Sequence, residues 1–88
     1  MWMDNQIKGK ILHKLTRKGK FEHSHTAMEN LCKRFPPELM GKAKEMSEDL
    51  VREGMLHIKK TGYGNQVSIN LDRKDTIMKY IDEFLKME

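Results

Sequence analysis

The chain has 88 residues, enough for one small hydrophobic core and too few for two. Its 38% apolar content is ordinary for a folded domain once the glycines are added, and no apolar run approaches the roughly 20 residues that cross a bilayer. Lys8 and Lys10 break up any signal-like apolar core at the N-terminus, and the single Cys32 has no internal disulfide partner, so the expected compartment is a reducing cytoplasm. The net charge of +4 is unevenly spread. Met1 to Lys20 carries six basic residues against one acid, Pro36 to Met55 three against five, and Leu56 to Leu71 two lysines with no acid. Positive potential therefore belongs to the first helix, the loop after it and the later hairpin.

A first helix is predicted over about 4–18, where Ile7, Ile11, Leu12 and Leu15 recur at helical spacing and Gly19 supplies a stop. Asp4 near its start and the cations near its end suit the helix dipole. A second helix is predicted over about 26–35. Thr26 with Glu29 makes a capping-box pattern, Met28, Leu31, Cys32 and Phe35 form an apolar face, and Pro36-Pro37 ends it. The same prolines can open a third helix over about 37–53, with Leu39, Ala43, Met46 and Leu50 as its stripe and Gly54 as its end.

Period-2 alternation follows over about 55–71. Leu56 and Ile58 point one way, Val67, Ile69 and Leu71 alternate with polar residues, and Thr61-Gly-Tyr-Gly-Asn65 supplies the turn. A last helix is predicted over about 73–87, capped by Asp72 or Asp75, with Ile77, Tyr80, Ile81, Phe84 and Leu85 as a broad apolar face. The eight methionines read as core filler, with a plastic binding surface as the alternative. The expected fold is α+β, mostly α, in a single domain over 1–88.

Three helices, a hairpin with a glycine-rich turn and a final helix, joined through the tight Phe35-Pro-Pro-Glu38 corner, resemble the winged helix-turn-helix family. The resemblance implies a three-helix core, a two-stranded wing and a C-terminal helix. It also implies binding of double-stranded DNA by a small transcriptional regulator, with the third helix in the major groove. On that helix Gly41, Lys42, Lys44 and Glu45 would meet base edges or phosphates. Lys59, Lys60, Tyr63, Asn65 and Gln66 of the wing would meet phosphates or the minor groove. Lys18, Lys20 and the amides near Ser24 and Thr26, at the start of the second helix, would hold one phosphate.

Each of these groups also has a purely structural role open to it. The third helix can be a solvated mixed-charge face with a Glu48–Arg52 pair, and the wing lysines can guard a sheet edge. His23-Ser-His25 lacks the further ligands a zinc site needs, so no metal is expected. No catalytic set and no phosphate-binding glycine loop is present, and Gly62-Tyr-Gly64 lacks the strand-to-helix context of a dinucleotide fingerprint, so neither enzymatic activity nor a cofactor is expected. Two alternatives stand beside duplex DNA. One is RNA binding through the same basic surface; the other is a protein-interaction module or a homodimer paired through the last helix.

Overall fold

Ile7, Ile11, Leu12 and Leu15 are fully buried on one side of the first helix, α1 (Asp4–Arg17), in a computed structural model that describes residues 2–87. The chain is α+β and mostly helical, with a small antiparallel sheet. Strand β1 (Thr26–Ala27) and a 3-10 helix (Met28–Cys32) follow α1. After the proline corner come a 3-10 turn (Pro37–Leu39) and helix α2 (Met40–Arg52). Strands β2 (Leu56–Thr61) and β3 (Gly64–Ile69) form the hairpin, and a 3-10 turn (Leu71–Arg73) leads into α3 (Lys74–Leu85). The sheet order is β1-β3-β2, so the two-residue strand from early in the chain closes the free edge of β3.

Both glycine stops act through one geometry. Gly19 (φ 68°) and Gly54 (φ 83°) are left-handed, and the residue after each donates back into the last turn. Lys20 N bonds Leu15 O at 3.0 Å, and Met55 N bonds Leu50 O at 2.9 Å. Those bonds satisfy helix-end carbonyls that would otherwise lack partners. Gly9 has a different task. A Cβ placed there would lie 2.0 Å from the Tyr80 carbonyl oxygen and 2.8 Å from Phe84 Cβ. Only a residue without a side chain lets α1 and α3 cross this closely, and this helix pair is the most extensive contact in the fold.

The helix expected over 26–35 does not form. Thr26 and Ala27 pair instead with Val67 and Gln66 of β3, and only Met28–Cys32 turns helically, with 3-10 spacing. The Thr26–Glu29 capping box is absent; Thr26 Oγ1 accepts from Asn30 Nδ2 at 3.2 Å. The physical reason is competition between local and distant partners. A β-branched Thr26 fits a strand, β3 offers an otherwise unpaired edge, and the Phe35-Pro36 junction leaves a local helix little length. Arg34 (φ 74°) then reverses the chain into the proline corner.

The core gathers α1, α2, α3 and the base of the hairpin. Leu31, Phe35, Ala43, Met46, Leu50, Met55, Leu56, Val67, Ile69, Ile77 and Ile81 complete it. Three edges of the expected pattern differ. Ile58 and Leu71 are substantially exposed, because the hairpin projects beyond the helices at one end and the chain leaves the sheet at the other. Neither Asp72 nor Asp75 caps α3; Asn70 instead accepts from the Asp72 amide at 3.0 Å to start the preceding 3-10 turn. Leu85, expected on the apolar face, is 57% exposed at the end of α3.

Candidate functional site

Strand alternation and register decide what the hairpin presents. Lys60 lies opposite Asn65 and shares a face with Ile58 and Val67, whereas Lys59 lies opposite Gln66 with His57 and Ser68. The five wing residues therefore do not form one cluster. Lys60 and Asn65 belong to the sheet face that continues the core, and Lys59 and Gln66 belong to the other. Tyr63 stands at the turn, fully exposed, above Thr61, whose hydroxyl accepts from the Tyr63 amide at 3.2 Å and donates to Gly64 O at 2.6 Å.

Between the hairpin tip, the Met28–Cys32 helix and the start of α2 lies an open groove of about 570 Å³. Gly41 and Lys44 line it from α2, and Tyr63, Gly64 and Asn65 from the hairpin. Four of the expected contact residues thus share one concavity. Sequence reasoning missed Ala27, Met28, Glu29, Cys32, Met40 and Ser47 in the rest of its wall. Met40 is visible beside Gly41 as an exposed apolar residue on a polar face. Met28, Glu29 and Cys32 reach the groove only because their segment is a 3-10 helix anchored by β1, which no local pattern announces. Burial pushes the Cys32 thiol above its usual range, with Glu48 adding to that and Lys44 and Lys14 opposing it.

The other expected contacts lie elsewhere. Lys42 turns away to Asp4 (3.4 Å) and Glu45 (3.9 Å), so one of the two lysines early in α2 already has carboxylate partners, and Glu45 shares that pairing. Lys20 is tied into the sheet through its backbone, its carbonyl accepting from Ile69 N at 2.7 Å. Ser24 is exposed in the loop, and Thr26 sits in a strand. No helix starts at either residue, so the phosphate cradle expected from helical amides there is absent. Lys18 belongs to a second depression of about 510 Å³, lined also by Lys10, His13, Lys14, Arg17, Arg34, Phe84 and Leu85.

His25 Nδ1 lies 3.1 Å from the His23 carbonyl oxygen, and His57 Nε2 lies 2.7 Å from Glu22 Oε2. Among the described residues no group of three or more His, Cys, Asp or Glu is gathered to hold a metal ion. No helix among them is long and apolar enough to cross a membrane.

Comparisons with protein-family models, curated proteins and solved structures find no match for this chain.

Proposed function

We propose that this chain is a winged-helix protein that binds double-stranded DNA and serves as a small transcriptional regulator. Helix α2 would enter the major groove and the β2–β3 hairpin would lie along the backbone beside it. One observation carries the reading: Gly41 and Lys44 of α2 and Tyr63 and Asn65 of the hairpin line a single groove, with Lys60 on the hairpin face that adjoins it. The arrangement of α1, α2 and a hairpin whose inner strand is closed by β1 supports the same fold family. A duplex wants donors for phosphate oxygens and a projecting helix that reaches base edges. Lys44, Lys60 and the fully exposed Tyr63 supply the former, and the first turns of α2 supply the latter.

The test is duplex titration at several salt concentrations. Each lysine that neutralises a phosphate adds about 0.9 to the slope of log affinity against log salt. Lys60→Ala is expected to weaken binding to every sequence and lower that slope by about 1. Lys59→Ala, on the other face, is expected to change it less. Equal affinities and slopes for wild type and both variants would remove the hairpin from the interface.

A second reading rests on the groove's own chemistry. Met28, Cys32, Met40 and the Tyr63 ring make it largely apolar, and Glu29 and Glu48 give it acid where phosphates would approach. That lining suits an apolar, basic protein segment. Duplex affinity that is absent even at low salt would favour this reading.

A further inference from the structure

The second depression shares no residue with the groove, and its chemistry is the opposite. Lys10, Lys14, Arg17, Lys18 and Arg34 line it, and no carboxylate does. Among the described residues none of these five cations is in an ion pair, although Lys8, Lys42 and Arg52 each are. Five positive charges around one depression repel one another, and at half-buried Lys14 burial adds to the cost. The Lys14 ammonium accordingly titrates below the usual lysine range, through burial first and then through Lys18, Arg34, Lys33 and Lys10.

Two of the five are held in place. Lys10 Nζ donates to the Arg34 carbonyl at 3.1 Å, and Lys14 Nζ donates to the Asn30 carbonyl at 2.8 Å. Each ammonium keeps further donors, so both are fixed without being saturated. Arg34 itself adopts a left-handed backbone (φ 74°) that side-chain-bearing residues rarely take. Phe84 and Leu85 of α3 close the remaining wall, with His13 against the Phe84 ring at 5.6 Å between centroids.

Five cations lining one open depression of about 510 Å³, within the size range of small-molecule sites, fit a compact polyanion. We propose that this pocket binds an organic polyphosphate of the nucleoside triphosphate class, its phosphates on the five cations and its organic part against Phe84 and Leu85. The site is separate from the proposed duplex interface and does not depend on it.

The fold contains its own reporter. Trp2, the only tryptophan, stacks on Phe84 (6.2 Å between centroids, 18° between planes), and Lys10 Nζ lies 5.3 Å from its ring centroid. Titrating the full chain with inorganic tripolyphosphate, which does not absorb in the tryptophan band, is expected to change Trp2 emission saturably at one anion per chain. Calorimetry with a nucleoside triphosphate is expected to give the same stoichiometry and tighter binding. Arg17→Ala with Lys18→Ala, both exposed and remote from the core, is expected to weaken tripolyphosphate binding by about tenfold per cation removed. Lys59→Ala with Lys60→Ala is expected to leave it unchanged. The site is refuted by an absence of saturable response up to about 1 mM at low salt. Equal loss in both double variants would also refute it, since that marks diffuse attraction to a basic protein. Stoichiometric displacement of tripolyphosphate by duplex DNA, with the Arg17/Lys18 variant losing as much duplex affinity as the hairpin variant, would make the pocket part of a nucleic-acid footprint and overturn a separate ligand site. Failure of duplex binding with tripolyphosphate binding intact would overturn only the duplex reading.

Discussion

Lys8 is charged and nearly buried, an expensive arrangement unless the charge is met. It is met by Glu53, which also accepts from the Tyr80 hydroxyl at 2.7 Å, so one carboxylate links α1, the end of α2 and α3. Burial alone would lower the Lys8 pKa, but the hydrogen bond and charge of Glu53 outweigh it and hold that pKa above the usual range. Burial likewise would raise Glu53, and the bonds from Lys8 and Tyr80 outweigh it and hold it low. Tyr80 is raised, by burial and then by its bond to Glu53. The depressed carboxyl contributes stability that is present above its unfolded pKa and lost as pH falls through the folded one. The raised lysine and phenol contribute stability that is present below their unfolded pKa values and lost as pH rises through the folded ones. The linkage is therefore a plateau between the carboxylate range and the lysine and tyrosine range, falling at both ends. Glu53→Gln is expected to cost about 1–2 kcal/mol at neutral pH, less than breaking a fully buried pair because Glu53 stays partly in water. It is also expected to flatten the acid limb, read as urea midpoint against pH. Gly9→Ala is expected to cost at least about 3 kcal/mol in the same measurement, because the new methyl meets a backbone carbonyl that can move only if α1 and α3 part. Neither residue's role was legible in the sequence. Lys8 reads as one more surface cation, and Gly9 as a mild helix weakener, because their partners at positions 53, 80 and 84 are distant in the chain. The buried apolar residues of α1 were legible, since a stripe at period 3.6 needs no knowledge of its partner.

The first helix and α2 end at the glycines that the sequence offers as stops. Gly19 and Gly54 end their helices because a left-handed residue is needed and glycine takes that conformation without Cβ strain. Gly54→Ala is expected to cost about 1 kcal/mol from backbone conformation alone, as a Cβ there meets nothing nearer than 3.9 Å. Thermal and urea unfolding of that variant would show a lower midpoint with an unchanged m-value; a neutral result would mean the cap is not under this constraint. The 26–35 segment is the contrary case. Its apolar spacing fits a helix, yet the observed β1 pairing depends on residues 66 and 67, which lie beyond the reach of any local rule. The same misplacement removed Ser24 and Thr26 from a helix start and brought Met28 and Cys32 to the groove. Gly41, Lys44, Tyr63 and Asn65, expected from two separate elements, share a groove because α2 and the hairpin follow one another directly, leaving few ways to place them apart.

At the scale of the molecule, the first and last helices form the largest interface, so the fold closes only when α3 docks. Ile77 and Ile81 are each 3% exposed against that interface, and burying two such side chains contributes about 3–6 kcal/mol. That is comparable to the whole stability of a domain this size, about 4–13 kcal/mol. A chain ending at Arg73 is expected to lose cooperative unfolding altogether, seen by circular dichroism on heating; a sigmoidal melt from that fragment would show that α1, α2 and the sheet suffice. Charge is also organised at this scale. Its crowding around Arg34 could not be read from a linear tally, because it joins cations from α1 to one contributed by a turn that α1 itself holds through Lys10 and Lys14.

Cys32 is the only thiol, and it sits in the wall of the α2–hairpin groove, half covered. Burial keeps it largely protonated at neutral pH, so alkylation there is slow in the free protein and its rate follows the openness of that wall. The groove therefore carries a native footprinting position. Anything that settles between α2 and the hairpin, duplex or peptide, shields Cys32 and slows its modification, whereas an anion held among Lys10, Lys14 and Arg34 leaves the wall uncovered. The rate of a single covalent reaction on the unaltered chain thus reads whether that wall is covered, while an anion on Lys14 reaches Cys32 only through the charge it neutralises.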